Sequence, residues 1–463
     1  MANVLINLFN DNQFRQYLAV LIATFAFLSC GMSTGWPSAV LPMLLSDHPP
    51  VKLTSEEISW VISIMNLSNM LSPYPCGFLM DRYGRKHTLL LLSILPTASW
   101  ALITIGETIL VLSIARILNG FWQGIVYTIL PIYIAEIAEP KFRSQMGTLM
   151  SFMMSLGILI TYIIAPILSY TLIAIVNGLI PIIFFCCFIW MPESPTYYLI
   201  HKDYLKAEKA LNWFRGSVDK NKIIMELDVM QKSVARDMEN KGTVRDIFKT
   251  RGTIKGFIIA IGLAVFQRVS GITSIVVFSS TTLPEGGFLC ISRDQFVIVI
   301  GVILVVFTLI ASVFIKRFGN VPLLVTTSIL CGIFMFIAAV WFHYEPTTLP
   351  SFQEYKWVPY LCFAIHTVFY SLGVGSIGNA IRGEMFPTNI RAISSALTTN
   401  IASLTTFLQT KTYFPIEQRY GMQVNYYINS ICCFACACFS FLFVIETKGK
   451  SLIEIQEELG RKK

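Results

Sequence analysis

The chain has 463 residues, of which 54% are hydrophobic and 13% charged, with a mean hydropathy of +0.64. This composition excludes an ordinary soluble protein, because about a quarter of the residues in soluble domains are charged. The net charge of +8 does not indicate nucleic-acid binding, since 13 of the 35 Lys and Arg residues lie in one polar segment between Lys202 and Lys255.

The apolar residues form continuous blocks of about 20 residues, the length that a helix needs to cross about 30 Å of hydrocarbon. The blocks do not alternate between polar and apolar residues, so they predict helices and not a membrane barrel. Twelve spans are predicted, near residues 17–45, 56–79, 87–106, 108–136, 145–168, 170–191, 254–282, 294–315, 321–342, 356–383, 391–413 and 422–445.

The loops between the predicted spans indicate an orientation. The polar segment between the sixth and seventh spans has apolar residues at helical spacing, which predicts short amphipathic helices. Lys and Arg are concentrated there and in the other loops on the same side, so these loops and both termini are expected in the cytoplasm. The predicted organisation is an N-terminal six-helix half (1–191), cytoplasmic linker helices (192–253), a C-terminal six-helix half (254–445) and a cytoplasmic tail (446–463).

Short charged motifs recur at matching positions in the two halves. The pairs are DRYGRK at 81–86 with KRFGNV at 316–321, Glu136 and Arg143 with Glu384 and Arg391, and PESP at 192–195 with ETKG at 446–449. Such a parallel repeat places a solute near the membrane midplane, between two halves that rock about it.

Four ordered segments together resemble the sugar porter family of the major facilitator superfamily. They are GFLMDRYGRKHTLL (77–90), PIYIAEIAEPKFR (131–143), PESPTYYL (192–199) and ETKGKSLIEI (446–455). GWPSAVLP (35–42) and LGILITY (156–162) look most like the insect facilitated trehalose transporters. The resemblance covers nearly the whole chain and implies an all-α membrane protein with the major facilitator fold.

Acidic and basic residues at the predicted cytoplasmic helix ends are suited to a conformational role, because partly desolvated carboxylate–guanidinium pairs are strong and geometrically specific. We expect them to clamp the halves together when the cavity opens outward and to separate when it opens inward. The predicted network comprises Asp81, Arg85, Glu136, Arg143, Glu193, Glu384, Arg391 and Glu446. At 316–321 the family resemblance leads one to expect D-R-x-G-R-R, but this chain reads KRFGNV, without the acid and the two following arginines. The lock is therefore expected to be stronger in the N-terminal half.

The resemblance implies a substrate site on the seventh helix, where sugar porters carry Q-Q-x-S-G-I-N. This chain matches at Gln267, Ser270 and Gly271, but Arg268 replaces the second glutamine and Thr273 replaces the asparagine. An arginine near the middle of a span is costly unless something compensates. Arg268 is therefore expected either to face water or substrate, or to bond to helix carbonyls at a break in the helix at Ser270 and Gly271.

Other positions of the implied site also depart from the family pattern. The tenth helix reads GSIGN (375–379) where G-P-x-P-W is expected, and Ser403 stands at the position of an expected tryptophan. Fewer aromatic faces then remain to stack on a sugar ring. The predicted substrate-binding residues are Gln267, Arg268, Thr273, Asn379, Tyr162 and Phe278.

The sequence also bears on energy coupling. Proton-coupled sugar porters resemble G-Y-D in the first helix, with the acid near a fourth-helix arginine. This chain has Gly31, Met32 and Ser33 instead, while Arg116 keeps the arginine position. The acidic residues fall in loops, tails or helix ends of the predicted spans, so a proton relay is not expected.

The leading interpretation is a facilitated uniporter of a sugar such as trehalose or a hexose, working by alternating access in the plasma membrane. Two alternatives stay open: a transporter of a different small solute, for example an anion, and a non-transporting nutrient receptor on the same fold. No phosphate loop, metal cluster or nucleophile–base pair is evident, so no enzyme activity, metal or cofactor is predicted. The expected partners are a small solute and the lipid bilayer, without nucleic acid, and a monomer is expected.

Overall fold

A computed structural model of the protein describes residues 11–139, 143–216, 220–239, 243–285, 292–344, 355–448, 450 and 452–460. Within these ranges the chain forms helices and connecting turns, without a strand. We call the helices before residue 192 the N-terminal half and those between residues 251 and 443 the C-terminal half. The membrane face that carries the segment joining them is called the linker face, and the opposite one the far face.

The helices of the N-terminal half are α1 (Asp11–Leu44), α2 (Ser55–Leu71), α3 (Pro73–Tyr83), α4 (Arg85–Leu92), α5 (Ile94–Ile105), α6 (Ile109–Ile137), α7 (Arg143–Ile164) and α8 (Tyr170–Phe188). The linker segment contains α9 (Pro195–Ile200), α10 (Tyr204–Arg215), α11 (Lys220–Glu239) and a 3₁₀ turn (Val244–Phe248). The amphipathic linker helices expected from the sequence are therefore present.

The C-terminal half contains α12 (Arg251–Val269), α13 (Ile272–Thr282), α14 (Arg293–Phe318), α15 (Asn320–Tyr344), α16 (Trp357–Phe369), a π-helical turn (Tyr370–Val374), α17 (Gly375–Glu384), α18 (Thr388–Tyr420) and α19 (Met422–Phe443). Helix α20 (Leu452–Gly460) follows in the tail.

Local sequence explains where helices begin at the far face. Thr54 starts α2 with a capping box, in which its side chain accepts from the Glu57 amide and the Glu57 carboxylate accepts from the Thr54 amide. Ser292 and Gln295 form the same arrangement at the start of α14. Both boxes satisfy amides that the first helical turn leaves without partners.

Ten helical segments among the described residues are long and apolar enough to cross a membrane. The second and eleventh predicted spans are helical too, but α2 is short and broken from α3 at Ser72, while α18 is too polar for this criterion. These two helices pack against each other across the halves. Their polar side chains can therefore face protein, which removes the need for a fully apolar surface.

Apolar residues at the far face pack across the two halves. One cluster joins Trp36 of the N-terminal half to Phe278 and Tyr413 of the C-terminal half, and a second joins Tyr162 to Ile275. We call this packing the far-face layer; it comprises Trp36, Ile158, Tyr162, Ile275, Val276, Val277, Phe278 and Tyr413.

At the linker face, apolar residues pack within each half separately. The cluster around Phe27 and Tyr133 contains residues of the N-terminal half and the linker. The cluster around Ile259 and Phe386 contains residues of the C-terminal half, the linker and the tail. In the described ranges, the halves are thus packed together at the far face, and no apolar cluster joins them at the linker face.

Candidate functional site

The seventh membrane crossing is broken near its middle, as the sequence predicts. Helices α12 and α13 meet at Gly271, whose φ of 108° is a conformation that glycine adopts without steric cost. The hydroxyl of Ser270 donates to the carbonyl of Gln267 at 3.0 Å, and that of Thr273 donates to the carbonyl of Arg268 at 3.3 Å. These hydroxyls satisfy carbonyls that the end of α12 would otherwise leave without partners.

The tenth crossing is irregular at the same site, because the π-helical turn Tyr370–Val374 precedes α17. Gln267 is buried, and its side-chain amide donates to the carbonyl of Gly375 at 2.8 Å. Asn379 lies one helical turn beyond Gly375 and is accessible. The structure therefore brings Gln267 and Asn379, both predicted as substrate-binding, to the junction of two interrupted helices.

Arg268 faces the space between the halves. Its side chain is partly accessible, and its Nε is buried without a hydrogen-bond partner among the described residues. Tyr127, in the middle of α6, is within electrostatic range of both Arg268 and Tyr370. Since Tyr127 belongs to the N-terminal half and the other two to the C-terminal half, these side chains border one central space.

A network of amides in the N-terminal half was missed in the sequence. Asn69 donates to Gln123 at 3.1 Å, and Gln123 donates to the hydroxyl of Thr34 at 3.2 Å. The network joins α1, α2 and α6 inside apolar runs, where averaged hydropathy conceals single polar residues. Isolated amides within predicted spans are the signal that would have identified it.

Tyr162 and Phe278 lie in the far-face layer and not beside Gln267. The Tyr162 hydroxyl donates to the backbone carbonyl of Val276 at 2.7 Å. Phe278 is stacked on Tyr413, with ring centroids 3.9 Å apart and an interplanar angle of 6°. Their contacts indicate that these two residues close the far face.

A second far-face contact joins α2 to α18, and the sequence did not suggest it. The Ser59 hydroxyl donates to the backbone carbonyl of Lys411 at 2.8 Å. The Lys411 ammonium lies 4.2 Å from the ring centroid of Trp60, which also packs against Phe407. This cation–π contact further ties the two halves together on the side away from the linker.

A cavity of about 790 Å³ opens at the far face between the halves. Tyr162, Tyr170 and Ser280 line it, together with the accessible carboxylate of Asp294. The hydroxyls of Tyr170 and Ser280 are buried without a hydrogen-bond partner among the described residues. The cavity is a vestibule lined partly by hydroxyls at the far-face ends of α1, α7 and α14.

At the linker face of the N-terminal half, the structure brings together three residues of the predicted network. Arg85 and Glu136 form an ion pair at 2.9 Å, with side chains 6% and 13% exposed. The Glu193 carboxylate accepts from the backbone amides of Arg85 and Lys86 at 3.0 and 2.9 Å. Gly84 has a φ of 94°, and a Cβ there would overlap the Glu193 carboxylate, so glycine is required at this turn.

The C-terminal half repeats this geometry with Glu446. Its carboxylate accepts from the backbone amides of Asn320 and Val321 at 3.1 and 3.0 Å, after Gly319 with a φ of 87°. Burial alone would raise the pKa of Glu446, but the hydrogen bonds from Val321, Lys448 and Asn320 outweigh it and leave that pKa below its usual value. Each carboxylate thus caps the N-terminus of the helix that follows a left-handed glycine.

The other members of the predicted network do not join these contacts in the described part of the chain. Asp81 is exposed and forms no ion pair there. Arg391 donates to the carbonyl of Phe386 at 3.3 Å. The side chains of Arg143 and Glu384 lie outside the described residues. No described contact of the network joins the two halves, so the clamp between the halves stays a prediction.

Arg116 is 2% exposed and bonds to backbone carbonyls, not to an acid. It donates to Ser33 at 3.0 Å and to Val61 at 3.3 Å, and its guanidinium lies 5.1 Å from the centroid of the Trp36 ring. No described carboxylate lies within ion-pair distance of it. Carbonyl dipoles and an aromatic face compensate this buried cation.

Comparison with known proteins agrees with this architecture. Residues 19–459 match the model of the family described as sugar (and other) transporter. A facilitated trehalose transporter, Tret1, of Bombyx mori is 28% identical over 445 residues, covering 96% of this chain and 86% of its own. Tret1 of Polypedilum vanderplanki is 28% identical over 449 residues, covering 96% of this chain and 88% of its own.

Solved structures show the same fold. The inward-open structure of the xylose transporter XylE from E. coli superposes with a TM-score of 0.79 at 20% identity, over 96% of this chain and all of that one. A partially occluded inward-open structure of XylE gives a TM-score of 0.78, covering 95% and 100% of the two chains. The all-helical membrane fold predicted from the sequence, the major facilitator fold, is therefore confirmed, and the chain belongs to the family of sugar (and other) transporters.

Proposed function

We propose that the protein carries a sugar such as trehalose or a hexose across the plasma membrane by facilitated diffusion. The observation that carries this proposal is the meeting of two interrupted helices at Gln267 and Gly375, in a space bordered by both halves. Amide side chains both donate and accept hydrogen bonds, as sugar hydroxyls require. The relatives named for trehalose transport support the same class of solute.

Alternating access is supported by the unequal packing at the two faces. The far-face layer joins the halves, whereas the linker-face clusters each belong to one half. A rocking motion that separates the far-face layer and brings the linker-face ends together would expose the central site to the opposite side. The linker-face helix ends that would meet carry five residues of the predicted network: Arg85, Glu136, Arg143, Glu384 and Arg391.

The linker face is proposed to be cytoplasmic, and with it both termini. The linker segment carries most of the clustered Lys and Arg residues, and positive charge is retained on the cytoplasmic side during insertion. We also propose the boundaries 1–191, 192–253, 254–445 and 446–463 for the two halves, the linker and the tail. A single chain supplies both walls of the central space, so a monomer suffices for transport.

Uniport without proton coupling is supported by the surroundings of Arg116. Its guanidinium is satisfied by the carbonyls of Ser33 and Val61, and no described acid is placed to exchange a proton with it. A carrier with no proton-binding group at mid-membrane equilibrates its solute and does not concentrate it.

Uptake of labelled trehalose and glucose into proteoliposomes tests this function. We expect saturable uptake that stops at equal concentrations and is unchanged by a proton gradient. Gln267→Ala should lower kcat/KM by up to about tenfold, because one sugar hydrogen bond is lost. Gln231→Ala is the matched control, since Gln231 is exposed on α11. Accumulation driven by a proton gradient would exclude uniport, and absence of uptake of both sugars by folded protein would exclude sugar transport.

A further inference from the structure

The guanidinium of Arg268, which borders the central space, has no ion-pair partner in the part of the chain that the structure describes. It forms no ion pair with any described acid, its Nε is buried without a hydrogen bond, and the rest of the group is partly accessible. The guanidinium also lies within electrostatic range of Tyr127 of the opposite half. An arginine at this depth needs compensation.

The polar groups next to Arg268 do not provide a negative charge. Ser270 and Thr273 direct their hydroxyl protons to carbonyls of α12, and Gln267 donates to Gly375. The described acids that make ion pairs, such as Glu136, lie at helix ends or in the linker and loops. The C-terminal dipole of α12 supplies part of the compensation, because Arg268 lies in its last turn.

Arginine is suited to one class of solute in particular. Its planar guanidinium binds a carboxylate through two parallel hydrogen bonds, and such charge-assisted bonds are about twice as strong as neutral ones. A solute with hydroxyls near Gln267 and Asn379 could also place a carboxylate against Arg268. A neutral hexose would leave the cation without a counter-charge.

We propose that the preferred solute is a sugar acid, a polyhydroxylated molecule of monosaccharide or disaccharide size that carries one carboxylate, with Arg268 binding that carboxylate. The inference rests on the proposed sugar-transport function and narrows its substrate class. Each uniport cycle then moves one net negative charge, so uptake of the solute responds to the membrane potential, whereas uptake of a neutral sugar does not.

The first test uses the unmodified protein and a matched pair of ligands. Glucuronate and glucuronamide differ only in the carboxylate, so their inhibition of labelled glucose uptake isolates its contribution. We expect glucuronate to inhibit at concentrations at least about tenfold lower, as for a charge-assisted hydrogen bond. We also expect labelled glucuronate uptake to accelerate under an inside-positive potassium diffusion potential. Equal inhibition by the two ligands, or glucose uptake without glucuronate uptake, would overturn the sugar-acid proposal and leave sugar transport standing.

The second test compares Arg268→Gln with Arg268→Lys. The ratio of kcat/KM for glucuronate to that for glucose should fall about tenfold or more in Arg268→Gln, and less in Arg268→Lys, which keeps the charge without the fork geometry. If Arg268 had a purely structural role at the end of α12, its substitution would lower kcat/KM for both solutes in proportion. An unchanged ratio would therefore overturn the proposal. Absence of uptake of glucuronate, glucose and trehalose by folded wild-type protein would instead reject the proposed function itself.

Discussion

Tyr162 of the N-terminal half donates its phenolic hydroxyl to the backbone carbonyl of Val276 in the C-terminal half, over 2.7 Å. Both residues are buried, at 1% and 6% exposure. A solute that enters from the far face requires this hydrogen bond to break, together with the apolar packing around it. The family resemblance implies a substrate contact for Tyr162, whereas its geometry supports a role in closing the far face.

Removing this hydroxyl should favour opening of the far face. In Tyr162→Phe the lost bond, worth about 0.5–1.5 kcal/mol, shifts the equilibrium between the two states by up to about tenfold. A cysteine at Val277, buried in the far-face layer, reports opening through its labelling by a membrane-impermeant maleimide. Labelling should be faster in the Tyr162→Phe background, after subtraction of the signal from protein without the added cysteine.

The matched control is Tyr360→Phe. The Tyr360 hydroxyl is also buried and donates to a backbone carbonyl, that of Pro284, but within the C-terminal half. Its removal should leave Val277→Cys labelling unchanged. If both tyrosine variants accelerate labelling equally, the effect is a general loosening and Tyr162 has no special role in closure.

The contact between Lys411 and Trp60 should also hold the far face closed. A cation–π contact at 4.2 Å contributes about 0.5–2 kcal/mol. Trp60→Leu and Lys411→Met should each increase labelling of Val277→Cys, and the double variant should increase it no further than one of them alone. Lys206→Met is the control, because its contact with Tyr198 lies in the linker segment. Fully additive effects of the two substitutions would show that the pair does not interact.

Breaking the ion pair between Arg85 and Glu136 should destabilise the linker face. Arg85→Gln leaves the Glu136 carboxylate buried without its cation, at an expected cost of about 3–5 kcal/mol. Thermal unfolding in detergent should occur at a clearly lower temperature, and adding Glu136→Gln should recover much of the loss. Lys232→Gln, which breaks an exposed pair with Asp228, should change little. If Arg85→Gln and Lys232→Gln lowered the unfolding temperature by similar amounts, burial would not explain the contribution of the ion pair between Arg85 and Glu136.

The low pKa of Glu446 makes a pH-dependent contribution to stability. A carboxyl group whose pKa is lower in the folded state stabilises that state above its usual pKa, and the contribution disappears as the pH falls through the folded value. Glu446→Gln should therefore unfold at a lower temperature than wild type at neutral pH. The difference should shrink as the pH falls from about 5 to about 3. A difference that is constant over this range would show that the charge is not responsible.

Much of the fold could be predicted from the sequence, because crossing a bilayer constrains each segment locally. The apolar blocks predict all ten described segments that are long and apolar enough to cross a membrane. The motif at Ser270 and Gly271 predicts the break between α12 and α13. Breaks within the second and third crossings, at Ser72 and Ser93, were not predicted, although Pro73 follows Ser72 directly and Pro96 follows Ser93 by three residues, and proline removes a backbone donor from a helix.

The candidate site was predicted less completely. Gln267 and Asn379 lie at one junction as the resemblance implies, but the contact of Gln267 is with the carbonyl of Gly375, 108 residues away. The hydrogen bond between the amides of Asn69 and Gln123 was not predicted, because each is a single polar residue within an apolar block. Side-chain identity suggests that a residue can bind a sugar, and only its position relative to the other half decides whether it does.

The class of protein, the helical spans, the placement of positive charge and the repeat of motifs could be predicted without the fold, because hydropathy and charge act within a segment and need no partner. Only the folded chain shows that Tyr162 and Phe278 pack in the far-face layer, that Glu193 and Glu446 cap equivalent helices, and that Arg268 has no ion-pair partner among the described residues. Each of these depends on groups brought together from distant parts of the chain, and the energy of such contacts is set by burial and geometry, which a linear pattern does not contain.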